Sequence, residues 1–140
     1  MSQFSDYTEE NIIQTTLRGQ AFPVPSDVYI ALFTSDPTDA GSGSEVNSAS
    51  WTTYARQDAA GGAAIDTGWT APSNGVSSNA KVITFPANNS GGSITVTHIG
   101  VFDALTTGNL LYHAPLVSSK TLLDGDVLSF AIGAITVTVA

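Results

Sequence analysis

The chain has 140 residues, of which 42% are apolar and only 11% are charged, compared with roughly 25% charged residues in average proteins. Twelve acidic residues against four basic ones give a net charge of −8, which argues against nucleic acid and anionic membranes as partners, because both attract clustered lysine and arginine. The absence of cysteine excludes disulfides, zinc–thiolate sites and thiol nucleophiles.

Length and composition together predict one all-β domain. Serine and threonine contribute 33 of 140 residues, and threonine suits strand surfaces because its branched side chain fits the pleat. The chain has no run of 18 apolar residues, and its N-terminus lacks the basic and apolar regions of a signal peptide. We expect a single domain over residues 1–140, with a helix and a proline-containing linker at 1–26 and a β-sandwich at 27–140.

Residues 5–19 carry the one helical pattern in the chain. Ser5 or the residue after it is a suitable N-cap, acidic residues follow in the first turn, and Gly19 is a typical stop. Ile13 and Leu17 are four positions apart and therefore share a face. The helix is predicted either to close one end of the sandwich or to form an arm that docks on a neighbouring subunit.

Several large apolar and aromatic side chains are candidates for an interface with a partner protein or with a second copy of the chain. Some lie on or near the helix, and two tryptophans flank predicted loops, where they are either lids over the ends of the sandwich, interface anchors or stacking platforms for sugar. If the helix is an arm, deleting residues 1–19 should weaken partner binding and leave the sandwich folded. The candidate residues are Phe4, Tyr7, Ile12, Ile13, Leu17, Trp51 and Trp69.

The sandwich is predicted to be organised around a strand at residues 28–34. This stretch is rich in β-branched and aromatic residues and is apolar on both faces, and it ends at a Ser-Asp-Pro turn. A strand that is apolar on both faces is covered on both sides. We therefore place it in the interior of a sheet.

A long loop follows at residues 35–50, with Asp36, Asp39 and Glu45 among small residues. Carboxylate oxygens are typical ligands of calcium, so these acidic residues suggest a calcium site. Their spacing, however, does not match the calcium-binding loop of an EF-hand. The loop is therefore predicted to be acidic and solvated.

The rest of the chain alternates between short β-like runs and turn signals. Asn74-Gly75 predicts a hairpin turn, Gly100 predicts a bulge or a close backbone approach, and Pro115 predicts an edge position or a break in a ladder. Together these runs give about eight strands in a jelly-roll or other Greek-key sandwich. The runs cover residues 51–58, 79–86, 93–103, 110–117, 126–132 and 134–139.

The sequence carries no recognisable catalytic or metal-binding pattern. His98 and His113 both fall in predicted strands without a partner at metal-ligand spacing, although they could assemble with an acid across strands. There is no G-x-S-x-G serine, no phosphate-binding loop and no dinucleotide fingerprint. We therefore predict no catalytic residues, no metal, no cofactor and no enzymatic activity.

Several motifs resemble those of a family of small virion proteins of tailed bacteriophages, often labelled tail-fibre-like. They include YARQ at 54–57, ITFP at 83–86, VTHIGVFD at 96–103 and the stretch 18–41, which begins RGQAFPVPSDVYIALF. In length and character the chain is also similar to cementing, or head-decoration, proteins of the type found in a Bordetella bacteriophage. The resemblance covers nearly the whole chain.

The resemblance implies a structural virion protein that cements the outer surface of a phage capsid and stabilises the head. Its implied partners are the major capsid protein and a second copy of itself, as a homodimer at two-fold junctions or as a trimer. It would lie on the outer capsid surface, after a stage in the host cytoplasm during assembly. The alternative is a tail-fibre or receptor-binding component of the phage tail.

Overall fold

The computed structural model describes residues 3–139 and is an all-β sandwich with one N-terminal helix, as predicted. All strand pairs in this part of the chain are antiparallel. A short 3-10 turn occupies Ile65–Thr67. The main elements are β1 (Gln3–Phe4), α1 (Asp6–Arg18), β2 (Tyr29–Phe33), β3 (Gln57–Asp58), β4 (Val76–Ser78), β5 (Ile83–Thr84), β6 (Ile94–Phe102), β7 (Leu110–Leu122), β8 (Ser129–Phe130) and β9 (Thr136–Thr138).

The first layer is a five-stranded sheet in the order β1-β7-β6-β2-β3. Its interior strand β2 confirms the prediction of a strand covered on both sides, because Ile30, Ala31 and Leu32 are completely buried and Phe33 is 2% exposed. The middle position of the sheet belongs to β6, which pairs with β2 on one side and with β7 on the other.

The second layer consists of two short ladders, β4 with β9 and β5 with β8, which are joined through the side chain of Asn79. This amide is completely buried. Its Nδ2 donates to the carbonyl oxygens of Lys81 and Ala131 at 2.8 and 2.9 Å, and its Oδ1 accepts from the amide of Ile135 at 2.8 Å. Within the strand predicted at residues 79–86 only Ile83–Thr84 is a strand, and the backbone of Asn79 bonds instead to Gly133 and Ile135.

The main core lies between the two layers, and a smaller cluster covers the opposite face of the five-stranded sheet. In the smaller cluster the rings of Phe33 and Phe102 stack with centroids 6.1 Å apart. A Cβ on Gly100 would lie 2.9 Å from both rings. The predicted close approach at this glycine is confirmed, and it is made by aromatic rings.

Strand β7 continues to Leu122, five residues beyond the predicted end. Pro115 pairs with His98 of β6, and the regular register of the two strands ends at this pair. Of the two predicted alternatives, the break in the ladder is therefore confirmed. The ladder then jumps from Pro115 to Lys120, so that residues 116–119 bulge out and leave Val117 fully exposed.

Most of the strand predicted at residues 51–58 is replaced by turns. Within residues 51–58 only Gln57–Asp58 is a strand, since the amide of Trp51 donates to the carbonyl of Asn47 and Tyr54 closes the next turn. The hairpin turn predicted at Asn74-Gly75 is confirmed, because the two residues have positive φ angles of 51° and 75°.

Candidate interaction surface

Helix α1 is fixed to the sandwich through its first turn. The hydroxyl of Ser5 caps the helix by accepting from the amide of Thr8 at 3.2 Å, and it donates to the carbonyl of Leu110 in β7. The hydroxyl of Thr8 donates to the neighbouring carbonyl of Leu111 at 2.9 Å. Of the two predicted caps, Ser5 is therefore the one that is used, and Gly19 ends the helix with a φ of 69° as predicted.

The apolar face predicted for α1 points away from the sandwich. Ile13 is 54% exposed and Leu17 is 80% exposed. The side that faces the body carries Thr8, which is buried, and the half-buried residues Asn11, Ile12 and Thr15. A helix normally turns its more apolar side toward the core, so this orientation leaves an apolar surface available to another molecule.

The remaining candidate residues fall into different environments. Phe4 and Tyr7 are half-buried, and Phe4 packs on Tyr112 with ring centroids 5.4 Å apart. Trp51 is completely buried in the main core, so it has no surface to offer a partner. Trp69 is half-buried and lines an apolar cavity of about 260 Å³ together with Phe22 of the linker.

Sequence reasoning missed two exposed valines. Val24, which is 82% exposed, lies in the linker between Pro23 and Pro25, and Val117 is at the tip of the β7 bulge. A signal for Val24 was present, because an apolar residue between two prolines sits in an extended segment with few ways to bury itself. The exposure of Val117 depends on the register of β6 against β7, which no local pattern reveals.

The loop at residues 35–50 is not simply solvated, which corrects the sequence-based expectation. Glu45 binds Arg56 through two hydrogen bonds of 3.0 and 2.8 Å. The guanidinium of Arg56 also donates to the carbonyls of Ala104 and Thr107, and it stacks 3.6 Å from the ring centroid of Phe102. The loop is thus tied to the β6–β7 connection through one buried arginine.

Tyr54 completes this network from the core side. Its hydroxyl donates to Oε1 of Glu45 and accepts from the amide of Leu32, both at 3.0 Å. Burial of the phenol, followed by the nearby charge of Glu45, raises the pKa of Tyr54 far above its usual range. The neutral phenol is therefore part of the folded structure.

The two histidines do come together with acids across strands. His113, 2% exposed, has Nε2 2.9 Å from Oδ1 of Asp39 and Nδ1 3.6 Å from Oδ1 of Asp36, and His98 lies 3.9 Å from the same Asp36 carboxylate. Among residues 3–139, however, no three histidine, cysteine or acidic side chains are arranged to hold a metal ion. The contacts join the loop to β6 and β7.

Among the helices that the structure describes, none has the length and hydropathy needed to cross a bilayer.

Comparison with known proteins identifies the family of the chain. No curated protein matches it significantly. Residues 3–138 match the family described as podophage GP4 fiber I protein gp80. The match includes the helix α1, the Glu45–Arg56 network and all nine strands of the described residues. The chain therefore belongs to the podophage GP4 fiber I protein gp80 family, and it is a structural protein of a bacteriophage virion.

Proposed function

We propose that this protein is a component of the phage tail fibre apparatus that attaches to a neighbouring virion protein through the exposed face of α1. The description of its family as a fiber protein supports the tail location. The observation that carries the attachment is the orientation of the helix, with Ile13 and Leu17 outward and a more polar side inward.

The geometry suits a docking element because the helix has a rigid base. Hydrogen bonds from Ser5 and Thr8 to β7 hold its first turn, so the outward face does not need to be ordered when a partner binds. A helix that is already ordered binds with a smaller entropic cost than a flexible arm. Recognition of this kind places the apolar face of a helix in a groove of the partner.

A second candidate function is cementing of the outer capsid surface, with the major capsid protein as partner. It is favoured by the similarity to head-decoration proteins described above and by the combination of a small sandwich with one docking helix. Such a body can bridge a junction between capsomers, and many modest contacts then add up over the shell. The two functions differ in where the protein lies on the virion.

The test is to localise the protein on purified virions. A phage that lacks the gene is complemented with a tagged wild-type copy, and virions are labelled with gold-coupled antibody and viewed by electron microscopy. Label on the tail supports the fibre function, whereas label spread over the head replaces it with cementing. Absence from purified virions would contradict both.

The same assay tests the docking face. Leu17→Glu places a charge at the most exposed apolar position of α1 and should remove most of the protein from virions. Val117→Glu is the matched control, because it makes the same change at a fully exposed apolar residue elsewhere on the surface. Equal incorporation of the two variants would show that α1 is not the attachment surface.

A further inference from the structure

The exposed side chains of α1 carry opposite charges at the two ends of the helix. Glu9 and Glu10 lie on its N-terminal half, and Arg18 lies in its last turn. The apolar pair Ile13 and Leu17 lies between them, and residues three or four positions apart on a helix are neighbours on its surface. None of the ion pairs formed within residues 3–139 uses these charged side chains.

We propose that α1 pairs in antiparallel orientation with α1 of a second copy of this chain. The proposal rests on the docking face assigned above and specifies its partner. In this arrangement Ile13 and Leu17 of the two copies cover each other, and Arg18 of each copy lies beside Glu10 of the other. A parallel pair would place like charges together at both ends, which is unfavourable.

Charge complementarity is the reason for choosing a second copy as the occupant. A two-fold axis beside residues 14–15 brings Glu10 of one copy to Arg18 of the other and Ile13 of one copy to Leu17 of the other, so the same surface is complementary to itself. The antiparallel orientation also places the positive end of each helix dipole beside the negative end of the other, which is favourable. A different protein would need its own apolar groove with a basic and an acidic end in matching positions.

The contact is small, which sets the expected affinity. A helix of 13 residues is about 20 Å long, and one face of it covers less than the roughly 800 Å² per partner that a stable complex buries. We therefore expect a weak dimer, with a dissociation constant on the order of 100 µM. In a virion, attachment of neighbouring copies raises their effective concentration enough for such a contact to form.

Sedimentation equilibrium of the full chain from about 5 to 500 µM tests the pairing. The wild-type protein should shift from monomer to dimer across this range, with a dissociation constant on the order of 100 µM. Leu17→Glu should remain monomeric throughout, and the control Val117→Glu should dimerise like the wild type. A wild-type monomer at the highest concentration would overturn the proposal, as would a dimer that Leu17→Glu does not weaken.

Charge reversal tests the orientation. Arg18→Glu and Glu10→Arg should each weaken the dimer at least tenfold, because each places like charges beside one another. The double variant exchanges the two charges and should recover most of the wild-type affinity, and circular dichroism checks that every variant keeps its helix. If the double variant is no better than the single ones, the antiparallel pair is wrong.

The antiparallel pairing and the proposed function can each fail without the other. Antiparallel pairing fails alone if virions still require Leu17 while the purified protein stays monomeric, since the face then binds another virion protein. The proposed function fails alone if the dimer forms as described and the protein is missing from virions.

Discussion

At the scale of single residues, Arg56 has the largest number of partners among the charged side chains in residues 3–139. It binds the carboxylate of Glu45 with two hydrogen bonds, donates to two backbone carbonyls and stacks on Phe102. Only a planar guanidinium can make all these contacts at once. The YARQ motif at residues 54–57 is thus explained by packing and hydrogen bonding.

Arg56→Ala should therefore destabilise the fold strongly. It leaves a partly buried Glu45 carboxylate without its cation, and we expect the free energy of unfolding to fall by about 3 kcal/mol. Arg56→Lys should lose less, since it keeps the charge but not the paired hydrogen bonds. Urea denaturation measures both variants, with the exposed Lys120→Ala as control. A loss below that of the control would mean that the network contributes nothing.

Tyr54 makes the free energy of unfolding depend on pH in the alkaline range. Its pKa is raised in the folded state by burial and by Glu45, while in the unfolded chain it is about 10. Below pH 10 the phenol is neutral in both states, so this stability is fully present. Above pH 10 the unfolded chain loses the proton first, and the free energy of unfolding falls as pH rises toward the folded pKa.

Denaturation curves between pH 8 and 11.5 measure this effect. Tyr54→Phe should be less stable at pH 8 by about 1–3 kcal/mol, because it leaves the amide of Leu32 without its acceptor, but it should lose less stability on going to high pH. If the variant keeps the full wild-type slope above pH 10, another tyrosine carries the effect. Tyr112, whose pKa is also raised by burial, is then the first alternative.

At the scale of elements, the second layer depends on Asn79. Asn79→Ala leaves the amide of Ile135 and the carbonyl of Ala131 without their side-chain partner inside the sandwich. Since each unsatisfied buried group costs about 1–3 kcal/mol, we expect a loss of about 3 kcal/mol or more. The loss should be accompanied by faster amide hydrogen exchange in β4 and β9.

The control for this variant is Asn89→Ala. Asn89 is exposed, so water can replace its bonds to Thr52 and Thr53, and we expect a loss below about 1 kcal/mol. Equal losses in the two variants would argue against a joining role for Asn79.

Elements with a local pattern could be predicted, and those fixed by distant partners could not. Helix α1 and strand β2 follow from caps and from apolar periodicity within a few residues. The Asn79 junction, the bond of Arg56 to Ala104 and the contact of His113 with Asp39 join residues that lie far apart in sequence. The outward orientation of α1 also escaped prediction, because the pattern gives the apolar face but not the side on which the body lies.

At the scale of the whole molecule, β1 makes the N-terminal segment part of the sandwich. Gln3 and Phe4 pair with His113 and Tyr112 at the edge of the five-stranded sheet. Deleting residues 1–19 removes this strand together with the whole of α1. The sequence-based expectation that the truncated chain stays cleanly folded therefore needs a direct test.

We expect the truncated chain to be less stable than Leu17→Glu and to aggregate more readily, because the edge of β7 becomes free to pair with other chains. Thermal unfolding and light scattering compare the two proteins. A truncated chain that is as stable and as monomeric as Leu17→Glu would show that β1 contributes little.

The anchoring of α1 also has a consequence for biosynthesis. The hydroxyl of Ser5, which caps the helix, donates to a carbonyl 105 residues later in the chain. Strand β1 pairs with the same segment, β7, and therefore cannot pair before β7 has been synthesised. Most of the chain must therefore leave the ribosome before α1 can be anchored to β7. We expect the surface proposed for attachment to become ordered last, after the core has formed, so that incomplete chains present no fixed helix to an assembling virion.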